Sequence, residues 1–275
     1  MGQRNSSFFP LLWKRIENDD VFGKAAQLAY FFLLSLFPLL IFLVTLLPYL
    51  PITQQDILGV IKDYAPGETM RLIETNLNDI MKTNNGKLLS FGFIATIWSA
   101  SNGINAIVRA FNLAYEVEEN RPFLIARGMA ILLTFGMILV FIVALLLPVF
   151  GKQIGLFLFS EFGLSSQFLA VWNTLRWLVS AVILFVVFVG LYWFAPNKKF
   201  KCIRSIPGAI FATVGWSLTS LAFSYYVNNF GNYTATYGSI GAIIVLMIWF
   251  YITGVIIILG GVINALISKI RDSSC

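Results

Sequence analysis

Charge is missing from five long stretches of this chain. Residues 25–55, 88–108, 128–151, 177–197 and 205–268 contain no Asp, Glu, Lys or Arg. The stretches are 31, 21, 24, 21 and 64 residues long, together 161 of 275. About 20 apolar residues in a helix cross the hydrocarbon core of a bilayer, and the longest stretch holds two crossings and a turn. A soluble fold is excluded on the same ground. With 58% of residues hydrophobic, 12% charged and a mean hydropathy of +0.81, too little polar surface remains to face water. The chain reads as an all-α, polytopic membrane protein forming a single membrane domain over 1–275.

Six spans are expected, near residues 27–50, 88–110, 128–150, 177–195, 206–228 and 240–267. Lys and Arg beside spans are retained on the cytoplasmic side. With the N-terminus inside, 13 of the 19 basic residues fall inside and six outside, so both termini are expected in the cytoplasm. The net charge of +6 is spread over these short connections, not gathered on a soluble module, and nucleic acid is not an expected partner. Cys202 and Cys275 lie beside basic, inner segments where a disulfide is not expected. Two thiols without any histidine make no zinc site, and no cofactor is expected. No signal peptide is expected, because the first apolar run is too long for one and lacks a cleavage pattern.

Residues 8–24 bring Leu12, Trp13 and Ile16 together on one side of a helix ringed by Lys14, Arg15 and Glu17, which predicts an interfacial helix lying flat before the first span. Segment 52–87 carries apolar residues at helical spacing on both sides of Pro66-Gly67. It is expected to form two amphipathic helices capping the outer face.

The second span is the most informative. At 100° per residue, Ser101, Asn102, Asn105, Arg109 and Asn112 fall within about 100° of arc, with Trp98 among them. Beside them runs a ladder of small residues: Ala95, Ser99, Gly103, Ala106, Ala110 and Ala114. Ile97, Ile104, Val108 and Phe111 occupy the remaining side. One face is therefore polar, one suits close helix contact, and one suits lipid or bulky packing. Gln27, Tyr30 and Ser35 of the first span, Ser217 of the fifth and Asn264 of the sixth sit at similar depth. Two readings stay open. Such groups can be interhelical glue, each bond contributing about 0.6–2 kcal/mol, or can line a polar cavity open to the cytoplasm. Pro38 falls inside the first span, where a missing N–H favours a kink. Gly254, Gly260 and Gly261 thin the sixth. No span centre holds a carboxylate, which argues against a proton relay.

Ala95-Thr96-Ile97-Trp98-Ser99 resembles Ala212-Thr213-Val214-Gly215-Trp216-Ser217 with one insertion. The two lie in the second span of each three-span half, as an inverted 3+3 repeat would place them. The stretches QLAYFFLLSLFPLL from Gln27, IWSASNGINAIVRAFNLAY from Ile97, PGAIFATVGW from Pro207 and YGSIGAIIVLMIWFYITGVIIILGG from Tyr237 together resemble the YihY/BrkB membrane family, over about residues 20–268. The resemblance implies a six-span protein of the bacterial inner membrane. It also carries an old label, ribonuclease BN, and a link of some members to serum resistance, with no catalytic residues.

The chemistry of the chain argues against the ribonuclease label. RNA hydrolysis needs a metal-activated water or an acid/base pair. Histidine is absent, and the tight acid groups are Asp19-Asp20 and Glu116, Glu118, Glu119, the latter reading as a solvated helix end. The expected function is transport or handling of a lipid-like, amphipathic substrate. The alternative is a non-transporting membrane scaffold or an envelope-integrity protein. Membrane lipids, and a second copy of the chain, are the expected partners.

Overall fold

The computed structural model describes residues 8–49, 85–138, 166–198, 200–230 and 239–273, together with positions 54, 58, 74, 77 and 78. Among them all regular structure is helical. The helices are α1 (Phe8–Asn18), α2 (Val21–Leu46), α3 (Gly86–Ala114), α4 (Phe123–Ile138), α5 (Ser166–Phe194), α6 (Ile206–Phe230) and α7 (Ser239–Ser273). Short 3₁₀ turns, Leu47–Tyr49 and Cys202–Ser205, extend α2 and precede α6. Four segments are long and apolar enough to cross a membrane: Val21–Tyr49, Gly86–Ala114, Cys202–Tyr226 and Ile243–Arg271. Shorter apolar helices, Phe123–Ile138 and Leu178–Phe194, accompany them at the positions of the third and fourth expected spans. The expected cap over 52–87 lies almost wholly outside the described residues, as does the outer half of the third expected span.

The continuous interfacial helix expected over 8–24 is divided. α1 stops at Asn18, Asp20 takes a left-handed φ of 47°, and its carboxylate accepts the Gly23 N–H at 3.3 Å, starting α2 at Val21. Asp tolerates that conformation and caps helices well, so two adjacent aspartates end one helix and begin the next.

The chain divides into two compact units, residues 32–100 and residues 1–31 with 101–275. Within the first, Asn85 caps α3 by accepting the Leu88 N–H at 3.0 Å. α2 runs unbroken through Pro38, and Phe42 meets Phe93 of α3 with ring centroids 5.5 Å apart.

The second unit is organised around α7. α7 packs on α6 and α1, and α5 packs on α6. Tyr192 of α5 donates its hydroxyl to the Ile257 carbonyl at 2.9 Å, and its ring lies 5.2 Å from that of Phe111 on α3. The glycines that thin α7 are where neighbours enter. A Cβ on Gly261 would strike the Phe111 ring, and one on Gly260 would strike the Tyr192 hydroxyl. On α6, a Cβ on Gly208 would collide with the Gly260 carbonyl. Backbone-to-backbone approach of this kind is how apolar helices associate when lipid is as apolar as their side chains.

Candidate functional site

The three faces of α3 have distinct environments. Ile104, Val108 and Phe111 are buried, Phe111 completely, so the bulky face meets protein. The ladder is also dry at Gly103, Ala106, Ala110 and Ala114. The polar arc splits. Ser101 and Asn112 at its edges are buried, whereas Trp98 is 57% exposed, Asn102 and Asn105 are half-buried and Arg109 is exposed. The open side of α3 is mixed. Asn102, Asn105 and Arg109 share it with the exposed Leu113, and the first half of the helix exposes Phe91 and Ile94. The polar groups thus form a short stretch within a side that otherwise suits lipid.

The other predicted residues sort by partner. Gln27 and Tyr30 of α2 are exposed, and Ser217 of α6 is half-buried. Asn102 accepts from the Arg127 guanidinium at 2.8 Å, linking α3 to α4. Asn264 is fully buried, and both ends of its amide are used. Its oxygen accepts the Gly208 N–H at 2.7 Å, and its nitrogen donates to the Ser205 carbonyl at 3.1 Å. That amide satisfies the start of α6 and is not joined to the α3 arc.

A second polar cluster stands at the C-terminal end of α3. The helix closes in a Schellman motif: the Val117 N–H reaches the Asn112 carbonyl at 2.9 Å and the Glu116 N–H reaches Leu113 at 3.0 Å. Glu116 occupies the left-handed position, with φ 56°, where glycine is favoured. The strained turn sets its carboxylate between Arg15 of α1, in a short ion pair, and Lys269 of α7 at 2.9 and 3.0 Å. Those two donors hold the Glu116 carboxyl below the usual carboxylate range. Asp19, buried beside Arg15 at 3.6 Å, is pushed the other way by desolvation. Asn112 donates to Glu119 at 2.7 Å and accepts the Asn197 N–H at 2.7 Å, while Arg121 donates to the carbonyls of Ala195 and Pro196. The connections after α3 and α5 are thereby locked together. Arg15, Ala114, Tyr115, Glu116, Lys198, Ala265 and Lys269 enclose a pocket of about 240 Å³.

Sequence reasoning missed this cluster. Arg15 and Lys269 lie 101 and 153 positions from Glu116, and no local spacing announces such partners. No group of three or more His, Cys, Asp or Glu side chains able to hold a metal occurs among the described residues.

The family model described as virulence factor BrkB matches residues 12–274. The chain is 55% identical over 263 residues to a Bacillus subtilis protein named as ribonuclease-like, YfkH, covering 96% of each chain. It is 29% identical over 271 residues to a UPF0761 membrane protein of Vibrio campbellii, covering 96% of this chain and 82% of that one. No solved structure matches.

Proposed function

The chain belongs to the BrkB (UPF0761) family of membrane proteins, and from that premise we propose that it moves or handles a lipid-like, amphipathic substrate in the bacterial cell membrane. One observation carries the reading: over residues 101–112 the open positions of α3 are Asn102, Asn105 and Arg109, while Ile104, Val108 and Phe111 of its bulky side are buried. Polar side chains at that depth need water or a polar partner. In this reading the Asn105 amide and the Arg109 guanidinium meet a polar substrate head, while apolar tails stay in lipid. The proposal includes six spans with both termini in the cytoplasm, α4 and α5 supplying the third and fourth, and membrane lipids as the surrounding partner. The scaffold reading draws on a different observation, the saturated amide of Asn264, which is glue between α7 and the start of α6.

Vesicles reconstituted with the protein and a fluorescent phospholipid test the proposal. The expected result is protein-dependent movement of the probe that Asn105→Leu and Arg109→Gln abolish without loss of fold. A protein that moves neither this probe nor any of an amphipath panel supports the scaffold.

A further inference from the structure

The pocket at the end of α3 has the composition of an anion site. Three cations line it, Arg15, Lys198 and Lys269, against one carboxylate, Glu116. Glu116 is matched by Arg15 and Lys269, and Arg15 also faces Asp19. Lys198 makes no ion pair among the described residues. Its ammonium lies 5.7 Å from the centroid of the Tyr115 ring, and Arg204 acts on the same tyrosine electrostatically. The pocket therefore keeps an excess of positive charge.

Tyr115 forms one wall of the pocket through its ring, beneath the Lys198 ammonium, while its hydroxyl is buried and not open to a ligand. Lys198 therefore has an aromatic face on one side and, among the described residues, no anion on the other. At about 30 Å³ per water, a pocket of about 240 Å³ has room for a small oxyanion with part of its hydration.

We propose that the pocket of Arg15, Lys198 and Lys269 binds a phosphate group, with Lys198 and Lys269 neutralising its charge. Glu116 acts as a competing internal anion that holds Arg15 and Lys269 until a ligand shares them. The site stands whether or not the α3 face carries a substrate. The phosphate can come from an anionic phospholipid headgroup or from a soluble phosphate, and the two sources separate by experiment.

Native mass spectrometry of the purified full-length protein would compare retention of phosphatidylglycerol and phosphatidylcholine. In parallel, thermal unfolding would be followed with inorganic phosphate, which stabilises whatever folded state binds it. Lys198→Gln and Lys269→Gln are expected to weaken phosphate-group binding about three- to tenfold. Lys198→Arg retains it, and the exposed Lys14→Gln leaves it unchanged. Glu116→Gln is expected to tighten binding, a gain that a purely structural role for this cluster does not produce. Preference for phosphatidylglycerol without protection by inorganic phosphate assigns a lipid headgroup. Protection by phosphate that is lost in Lys198→Gln, without lipid preference, assigns a soluble ligand. Absence of both effects in the wild type overturns the proposal, as does wild-type binding by folded Lys198→Gln and Lys269→Gln.

Discussion

At the scale of single residues, polar groups that sequence patterning treats alike have different neighbours. Asn264 and Asn105 are both amides in apolar helices, yet one is sealed with its hydrogen bonds filled and the other is half open. Asn264→Leu strands the Gly208 N–H and the Ser205 carbonyl, and is expected to cost about 1–2 kcal/mol of stability in detergent unfolding. Asn105→Leu should stay within about 0.5 kcal/mol of wild type in the same assay. Equal losses at both positions would contradict the difference in packing. Glu116 adds a pH dependence. Its folded-state pKa lies below its ordinary 4.5 because Arg15 and Lys269 favour the anion. Its stabilisation is therefore present above that value and lost as pH falls through the depressed pKa. The stability difference between wild type and Glu116→Gln should shrink on acidification below about pH 4.5. Asp19 runs oppositely: its raised pKa favours the protonated folded form, so its own contribution declines as pH rises from 3.8 towards that pKa. Glu116→Gln therefore isolates the first effect. A difference that grows at low pH would refute the ion bridge.

At the scale of elements, helix existence was readable because charge-free length admits few alternatives. Charges at Lys24, Lys87, Arg109, Arg204 and Lys269 mark the start of α2, both ends of α3, the start of α6 and the end of α7 to within about five residues. No charge marks the end of α6 or the start of α7, and the break at Asp19-Asp20 was hidden inside an amphipathic pattern that continues across it. The faces of α3 were separable by angle alone, since 3.6-residue periodicity is local. Which face opens outward was not, because that depends on neighbours distant in the chain. The repeated Ala-Thr motif is equally cautionary. Thr96 and Thr213 both return a hydroxyl to the carbonyl four residues back, at 2.6 and 2.8 Å, but Thr134 does so too, so the bond reflects threonine in helices and is no evidence of a repeat. Glycine meaning also needed the packing. Gly208→Ala pushes the α6 and α7 backbones apart and is expected to destabilise by about 1–3 kcal/mol, read by thermal unfolding. Gly136→Ala, where an added Cβ meets nothing within 4 Å, should be neutral or slightly stabilising. A reversed ranking would remove the close-approach account of the α6–α7 contact.

At the scale of the whole molecule, the asymmetry of 13 inner against six outer basic residues predicts which loops a reagent reaches. Cysteines at Gly67 and Asn232 should label with an impermeant thiol reagent in intact cells while native Cys202, exposed at the start of α6, stays unlabelled. Labelling of Cys202 from outside would invert the topology and move the phosphate pocket to the other face of the membrane. The central claim is that the polar face of α3 is wet. Thiols react as thiolates, which form in water and not in hydrocarbon. The most direct measurement is the reaction rate of Asn105→Cys with a small permeant thiol reagent, in a Cys202→Ser, Cys275→Ser background. Val214→Cys on α6 is the reference, since both positions lie about a dozen ångströms from a helix end and Val214 is exposed but apolar in its surroundings. The account predicts Asn105→Cys reacting at least tenfold faster, roughly the contrast between a hydrated and a lipid-covered thiol. Equal, slow labelling of the two would contradict it, leaving the α3 face covered by lipid or by another copy of the chain.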